Sequence, residues 1–290
     1  MELIFSTLIN GLSLGGIYAM IALGYTMVYG IAKLLNFAHG DIIMVGGYLI
    51  YVFMATENPL LAVAMAVVGC VLLGIFIEKI AYKPLRGASP LAVLITAIGV
   101  SYLLQSLAQI IFGSAPKMVT VFDFGTIHFL GATIQISALV TLAVAAVVMV
   151  TLTLFVKYSR LGRAMIAVSE DKDAAQLMGI NVNRIITITF AIGSSLAALA
   201  GLFYLLKAPS VSSTLGAMPG IKAFTAAVIG GIGSIPGAML GGILLGLVES
   251  ISYKITVIAP YTDAIEFSIL ILILLVRPTG FLGKKRREKV

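Results

Sequence analysis

The 290-residue chain is 60% hydrophobic and only 11% charged, with a mean hydropathy of +1.11. A soluble globular domain carries about 25% charged residues, so a water-facing surface is excluded and the chain reads as a polytopic membrane protein. Its formal charge of +7 does not imply nucleic acid, because the basic residues sit in short loops and at the carboxy terminus.

Stretches without Lys, Arg, Asp or Glu run between Glu2 and Lys33, Glu57 and Glu78, Arg86 and Lys117, Asp123 and Lys157, Arg184 and Lys207, and Lys222 and Glu249. About 20 apolar residues cross the hydrocarbon core as a helix. Backbone in lipid must satisfy its own hydrogen bonds, and these runs lack the period-2 alternation of a barrel strand. The expected fold is therefore an all-α, polytopic integral membrane helix bundle. Glu2 replaces a basic amino-terminal region and no small-residue cleavage site follows, so residues 5–32 read as a retained first helix rather than a signal peptide.

Excess Lys and Arg mark cytoplasmic ends. Three clusters fix the threading: Lys79, Lys83 and Arg86; Lys157, Arg160 and Arg163; and the tail with Lys284, Lys285, Arg286, Arg287 and Lys289. From outside, residues 5–32 enter, 33–41 turn at the inner side, and 42–56 return if that span tilts or extends. Residues 60–82 come in, 91–112 go out, and 113–135 form a long external loop. Residues 136–156 come in, 157–184 form the longest cytoplasmic stretch, and 185–206 leave. Nine glycines fall between Gly216 and Gly246, and 222–232 is too short to span comfortably. The Gly230–Gly237 run breaks it, and a broken helix at membrane depth must be buried in protein or line a cavity. Residues 236–253 and 264–276 complete eight or nine membrane segments, with a broken or half helix near 222–237. One membrane domain covers 1–290, including a cytoplasmic loop at 157–184 and a basic tail at 278–290.

Small residues recur four apart at Gly11 and Gly15, Ala197 and Gly201, Gly237 and Gly241, and Gly242 and Gly246. Such pairs let helices approach closely, within one chain or between subunits. Cys70, the single cysteine, lies in mid-span and reads as a small core residue.

No enzyme constellation is present. The two histidines, His39 and His128, are threaded to opposite sides, no metal-ligand spacing or phosphate loop occurs, and Ser234 has no histidine near it in sequence. No catalytic residue, metal or cofactor is expected. In the cytoplasmic loop, Ser169 is a candidate N-cap, followed by Glu170, Asp171 and Asp173, where a helix dipole favours negative charge. Ala174, Ala175, Leu177 and Met178 follow, and Gly179 suits a left-handed stop. This predicts a self-capped helix of about nine residues whose apolar side chains offer a docking surface. Between the first two spans, Asn36, His39 and Asp41 either pin a helix break or line a transport path or gate. Glu249, five residues before Lys254, is open in the same way.

Several stretches together resemble the permease subunits of the high-affinity branched-chain amino-acid ABC importers. They are Gly24-Tyr25-Thr26-Met27-Val28-Tyr29-Gly30, Asn36-Phe37-Ala38-His39-Gly40, Tyr158-Ser159-Arg160-Leu161-Gly162-Arg163-Ala164, Gly179-Ile180-Asn181, Phe224-Thr225-Ala226-Ala227-Val228 and Pro278-Thr279-Gly280. The resemblance implies a bacterial inner-membrane permease domain with a cytoplasmic carboxy terminus. It implies as partners a second homologous permease subunit, two cytoplasmic ATP-binding subunits and an extracytoplasmic amino-acid-binding protein. Residues 169–178 would then be the coupling helix, with Arg160, Gly162, Arg163, Glu170, Asp171, Ala174, Leu177 and Gly179 as coupling residues. Asn36, Phe37, His39, Gly230, Gly231 and Gly233 would line the path or gate. Residues 113–135 match no motif of the family. Other neutral amino acids, urea or short amides are alternative solutes. An ion-coupled transporter is a rival, but it needs ionisable groups in mid-membrane, and the charge-free stretches hold none.

Overall fold

The structure is a computed structural model that describes residues 2–129 and 132–283, so the basic run at 284–289 lies outside the described residues. Eleven α-helices follow one another among them: α1 Glu2–Ala32, α2 His39–Phe53, α3 Pro59–Ile77, α4 Pro90–Phe112, α5 Ile136–Tyr158, α6 Arg160–Glu170, α7 Lys172–Leu177, α8 Val182–Lys207, α9 Ala217–Gly230, α10 Ile235–Lys254 and α11 Thr262–Val276. Eight helical segments are long and apolar enough to cross a membrane, and α9 is a shorter apolar helix beside them. This is the polytopic bundle that composition predicts.

Side-chain caps set many of the boundaries. Asn58 accepts from Leu61 N–H at the start of α3, Ser89 from Ala92 N–H at α4, Asn181 from Arg184 N–H at α8, and Ser234 from Gly237 N–H at α10. Pro59 and Pro90 occupy the first helical positions of α3 and α4, where a missing N–H costs nothing. Past Ile77, α3 runs through a π turn at Glu78–Tyr82 and a 3₁₀ turn at Lys83–Leu85.

The buried centre is α1, packed against α10, α8, α5 and α9. Lipid supplies no hydrophobic drive between helices, so close backbone approach must do the work. A Cβ placed on Gly242 would meet Ala19 Cα at 2.5 Å, and one on Gly15 would meet Ile243 Cα at 2.7 Å. Gly11 likewise faces Leu247 and Ser250, Gly246 faces Gly15, Gly201 faces Ile43, and Gly237 and Gly241 face Gly230 and Ala226. The recurrent small residues therefore serve packing within the chain. By contrast, α3, α4, α5 and α11 hold most of their surface outside, with Leu72, Ile95, Ile110, Val147 and Leu275 exposed in the manner of lipid-facing residues.

The long loop after α4 is not featureless. Strand β1 (Lys117–Met118) pairs antiparallel with β4 (Ser210–Val211), and β2 (Thr126–Phe129) pairs with β3 (Ala132–Gln135). These strands gather at one end of the bundle, beyond α4 and α8. At the opposite end lie the last residue of α1, the start of α8 and the turn after α9. There Phe281 N–H and Leu282 N–H donate to Ile229 O and Gly230 O, both at 2.9 Å.

The 157–184 loop corrects the sequence reading. It holds two helices rather than one nine-residue helix starting at Ser169. Ser159 caps α6 by accepting from Gly162 N–H at 2.8 Å. Ser169 lies inside α6 and donates to Ile166 O, and Glu170 is its last residue. Asp171 is the true cap of the next helix, accepting from Asp173 and Ala174 N–H at 3.0 Å each. Two residues two positions apart could each cap, and Asp171, in extended backbone (φ −152°, ψ 113°), prevails over Ser169.

Candidate coupling and gating sites

Helix α7 has only six residues, so its ends carry most of its structure. Gly179 takes φ +82°, Gly179 N–H donates to Gln176 O, and Ile180 N–H donates to Ala175 O. That pair of bonds is the Schellman stop expected at Gly179. Ala175 faces inward and is buried, whereas Leu177 and Met178 are 89% and 83% exposed. Among the other coupling candidates, Gly162 is buried against the Phe155–Val156 backbone with no space for a side chain. Arg160, Arg163, Glu170, Asp171 and Ala174 are exposed, with Arg163 donating to Tyr158 O at 2.8 Å.

Sequence reasoning did not foresee how this loop is tied to the bundle. Lys172 Nζ donates to the main-chain oxygen of Ala32 at 2.9 Å, a cation on the negative end of α1. Burial, with the Arg86 guanidinium close by, holds the Lys172 ammonium below the usual lysine range. Arg86 itself pairs with Glu78 and Asn183, and Thr187 donates to Glu78 at 2.8 Å. Arg86, Lys172, Gln176 and Asn183 line a cleft of about 480 Å³ beneath α7.

Just past Ala32 the chain breaks. Lys33 is left-handed at φ +60°, and α2 does not begin until His39. Asn36 is buried, accepts from Tyr82 Oη at 2.8 Å, and gives its carbonyl to His39 N–H. The His39 ring lies 4.8 Å from Tyr25 and against Gly24, where a Cβ would meet its Cε1 at 2.5 Å. Phe37 and Tyr25 both rest on Phe224 of α9, with ring centroids 5.3 and 5.8 Å apart.

The glycine-rich turn meets this break. Gly231 and Gly233 take φ +104° and +94°, and a Cβ on Gly30 would lie 3.3 Å from Gly233 Cα. Gly230 abuts the backbone of Gly237. Asn36, Tyr25, Tyr29, Phe224 and Ile232 line one constriction too tight to hold a water molecule. Asn36 and Phe37 on one side and the Gly230–Gly233 turn on the other, far apart in sequence, thus meet around one narrow pocket. The Pro278-Thr279-Gly280 motif completes it: Gly280, at φ +75°, lies against the backbone of Gly231 and Val228.

The borders of the charge-free stretches meet inside the bundle: Lys222 of α9 contacts Glu249 of α10 at 3.1 Å and Asp263 and Glu266 of α11 at 2.8 and 3.3 Å. Tyr18 Oη donates to Glu249 at 2.6 Å. Lys222, Glu249 and Glu266 are buried. A lone lysine in an apolar half helix demands a carboxylate partner, yet sequence spacing could not identify which helices supply it. His128 lies on β2, bonded to Thr133 Oγ1 at 3.0 Å, far along the chain from any gate residue.

Comparison with known proteins matches residues 7–274 to a family model described as branched-chain amino acid transport system / permease component. The chain is 44% identical to the high-affinity branched-chain amino acid transport system permease protein BraD of Pseudomonas aeruginosa, over 98% of this chain and 97% of that protein. It is 42% identical to the corresponding Escherichia coli permease LivH, over 97% of this chain and 96% of that one. Among solved structures, PsaBC from Streptococcus pneumoniae in complex with Fab aligns with a TM-score of 0.47 and 15% identity, covering 99% of this chain and 94% of that chain.

Proposed function

Because the chain belongs to the family of branched-chain amino acid transport system permease components, we propose that it forms half of the membrane path of an ATP-driven importer for leucine, isoleucine and valine. The chain is a multi-pass membrane permease. In this reading a second homologous permease completes the path, two cytoplasmic ATP-binding subunits drive it, and an extracytoplasmic binding protein delivers the amino acid. The carboxy terminus and the 157–184 loop face the cytoplasm of a bacterial cell, bordering its inner membrane.

The observation that carries the mechanism is the link from α7 to the break after α1. A six-residue helix is not stable alone in water, and its exposed Leu177 and Met178 are suited to a hydrophobic groove on an ATP-binding subunit. Movement of α7 passes through Lys172 to Ala32, the residue next to left-handed Lys33. A shift there displaces Asn36 and Phe37 from Phe224 and Ile232 and opens the constriction. The Lys222 network does not restore an ion-coupled reading, because its lysine already contacts all three carboxylates.

The complete complex in proteoliposomes tests this. Leucine-loaded binding protein should stimulate ATP hydrolysis and leucine accumulation together. Uptake that survives without ATP but collapses with ion gradients would reject the reading. Cysteine at Arg163 should resist an impermeant thiol reagent in intact cells while cysteine at Lys117 reacts, and the reverse would invert the topology.

A further inference from the structure

Asp41 sits in the first turn of α2 and is only 2% exposed. Its Oδ1 accepts from Gln105 Nε2 of α4 at 2.8 Å, and Ser101 is within hydrogen-bonding reach. Among the described residues no cationic side chain lies within 4.0 Å of it. A buried carboxylate held only by neutral donors lacks the countercharge that a buried ion ordinarily needs.

The same seam carries further polar groups. Ser101, Gln105 and Gln109 recur four residues apart on α4, which places them on one face of that helix. Gln109 donates to Ser213 at 3.2 Å. Tyr48 lies seven residues beyond Asp41 on α2, two turns further along the same face. Its ring stacks on Phe112 of α4 at 4.2 Å, and its hydroxyl is buried with no hydrogen-bond partner. Polar side chains at membrane depth are costly unless they serve a path or a partner. This line begins near the carboxy-terminal end of α2, passes Gln109 and Ser213, and ends at Asp41, beside the break that holds Asn36.

We propose that the α2–α4 seam is the solute path above the gate and that Asp41 receives the ammonium group of the amino acid, which replaces the Gln105 amide. The inference rests on the importer reading and adds a recognition site to it. An ammonium supplies the missing positive charge, and the Gln105 and Ser101 side chains are released to the seam. The Tyr48 hydroxyl offers a donor to the carboxylate end as the solute enters. A solute without a cationic group gains nothing at Asp41.

The test uses the complete importer, with leucine-loaded binding protein, in proteoliposomes. Asp41→Asn keeps the shape and an acceptor for Gln105 but loses the charge. Leucine imported per ATP hydrolysed should fall by about tenfold or more, the factor carried by one charge-assisted hydrogen bond, and Asp41→Glu should recover part of it. A ratio indistinguishable from wild type overturns the inference. If Asp41→Asn fails to assemble, Tyr48→Phe decides, since it removes a hydroxyl with no partner in the fold: reduced uptake supports the seam and unchanged uptake rejects it. Absence of leucine uptake by the wild-type complex would reject the importer reading itself, an outcome separable from any behaviour of the variants.

Discussion

Lys172 Nζ reaches the main-chain oxygen of Ala32 at 2.9 Å, across 140 residues of sequence, and so ties the short helix α7 to the end of the central helix α1. Ala32 O belongs to the last turn of α1, where carbonyls lack helical partners. Lys172→Met removes the donor and keeps the apolar stem. It should destabilise the folded chain by only about 1–2 kcal/mol, while ATP hydrolysis loses its link to uptake. The ratio of solute imported to ATP hydrolysed in vesicles is the measurement, and an unchanged ratio would remove this contact from the coupling route.

Leu177 is so exposed that its replacement should leave the isolated subunit within about 0.5 kcal/mol of wild-type stability. Leu177→Asp should nevertheless reduce co-purification of the ATP-binding subunits, because it places a charge in an apolar contact. Gly179→Val acts differently. Nothing crowds a Cβ there, but φ is +82°, which a β-branched residue adopts poorly, at a cost of about 1–2 kcal/mol. Loss of docking in the first variant with unfolding of α7 in the second would separate contact from conformation. Normal co-purification of both would exclude α7 as the docking element.

Much of this was legible in the sequence, and the rest was hidden for physical reasons. Charge-free stretches located the spans because lipid tolerates so little else. Gly179 was identifiable as a helix stop because its left-handed backbone favours one residue type. The choice between Ser169 and Asp171 as cap was not, since both are good acceptors and only the path of the chain after α6 selects one. The meeting of Asn36 with Ile232 and of Lys172 with Ala32 depends on tertiary folding between distant segments, which local pattern does not encode. Lys222 entered the sequence reading only as the border of a charge-free stretch, and its three partners lie on two other helices.

The glycine turn yields a graded comparison. A side chain at Gly231 would collide with the Gly283 backbone and lie 2.9 Å from Thr279 O, whereas at Gly233 the nearest atom is Gly30 Cα at 3.7 Å. Both residues have positive φ. Gly233→Ala should therefore cost about 1–2 kcal/mol from the backbone alone, and Gly231→Ala should cost more through displacement of the 279–283 segment. Thermal denaturation in detergent reads the order. Equal losses would show that the 279–283 segment yields freely, and uptake assays on the milder variant then report on the gate rather than on folding.

The buried network at Lys222 can be tested by unbalancing and rebalancing it. Lys222→Met leaves Glu249 and Glu266 buried without their cation, and breaking a buried pair in this way costs about 3–5 kcal/mol. Replacing both partners as well should behave differently, because apolar or neutral substitutes for a whole buried ion cluster are often tolerated. The triple variant Lys222→Met, Glu249→Gln, Glu266→Gln should recover much of the stability lost in Lys222→Met, with Glu249 replaced by an amide that still accepts from Tyr18. Asp263 is half exposed and can turn to water, so it needs no replacement. If the network only fastens α9 to α10 and α11, the triple variant should also recover transport. If the ion pairs must break and re-form as α9 moves, stability should return without uptake. Melting curves and ATP-dependent uptake on the same three preparations distinguish these outcomes. A Lys222→Met protein as stable as wild type would mean that the carboxylates find another countercharge, and the network would then not hold the half helix in place.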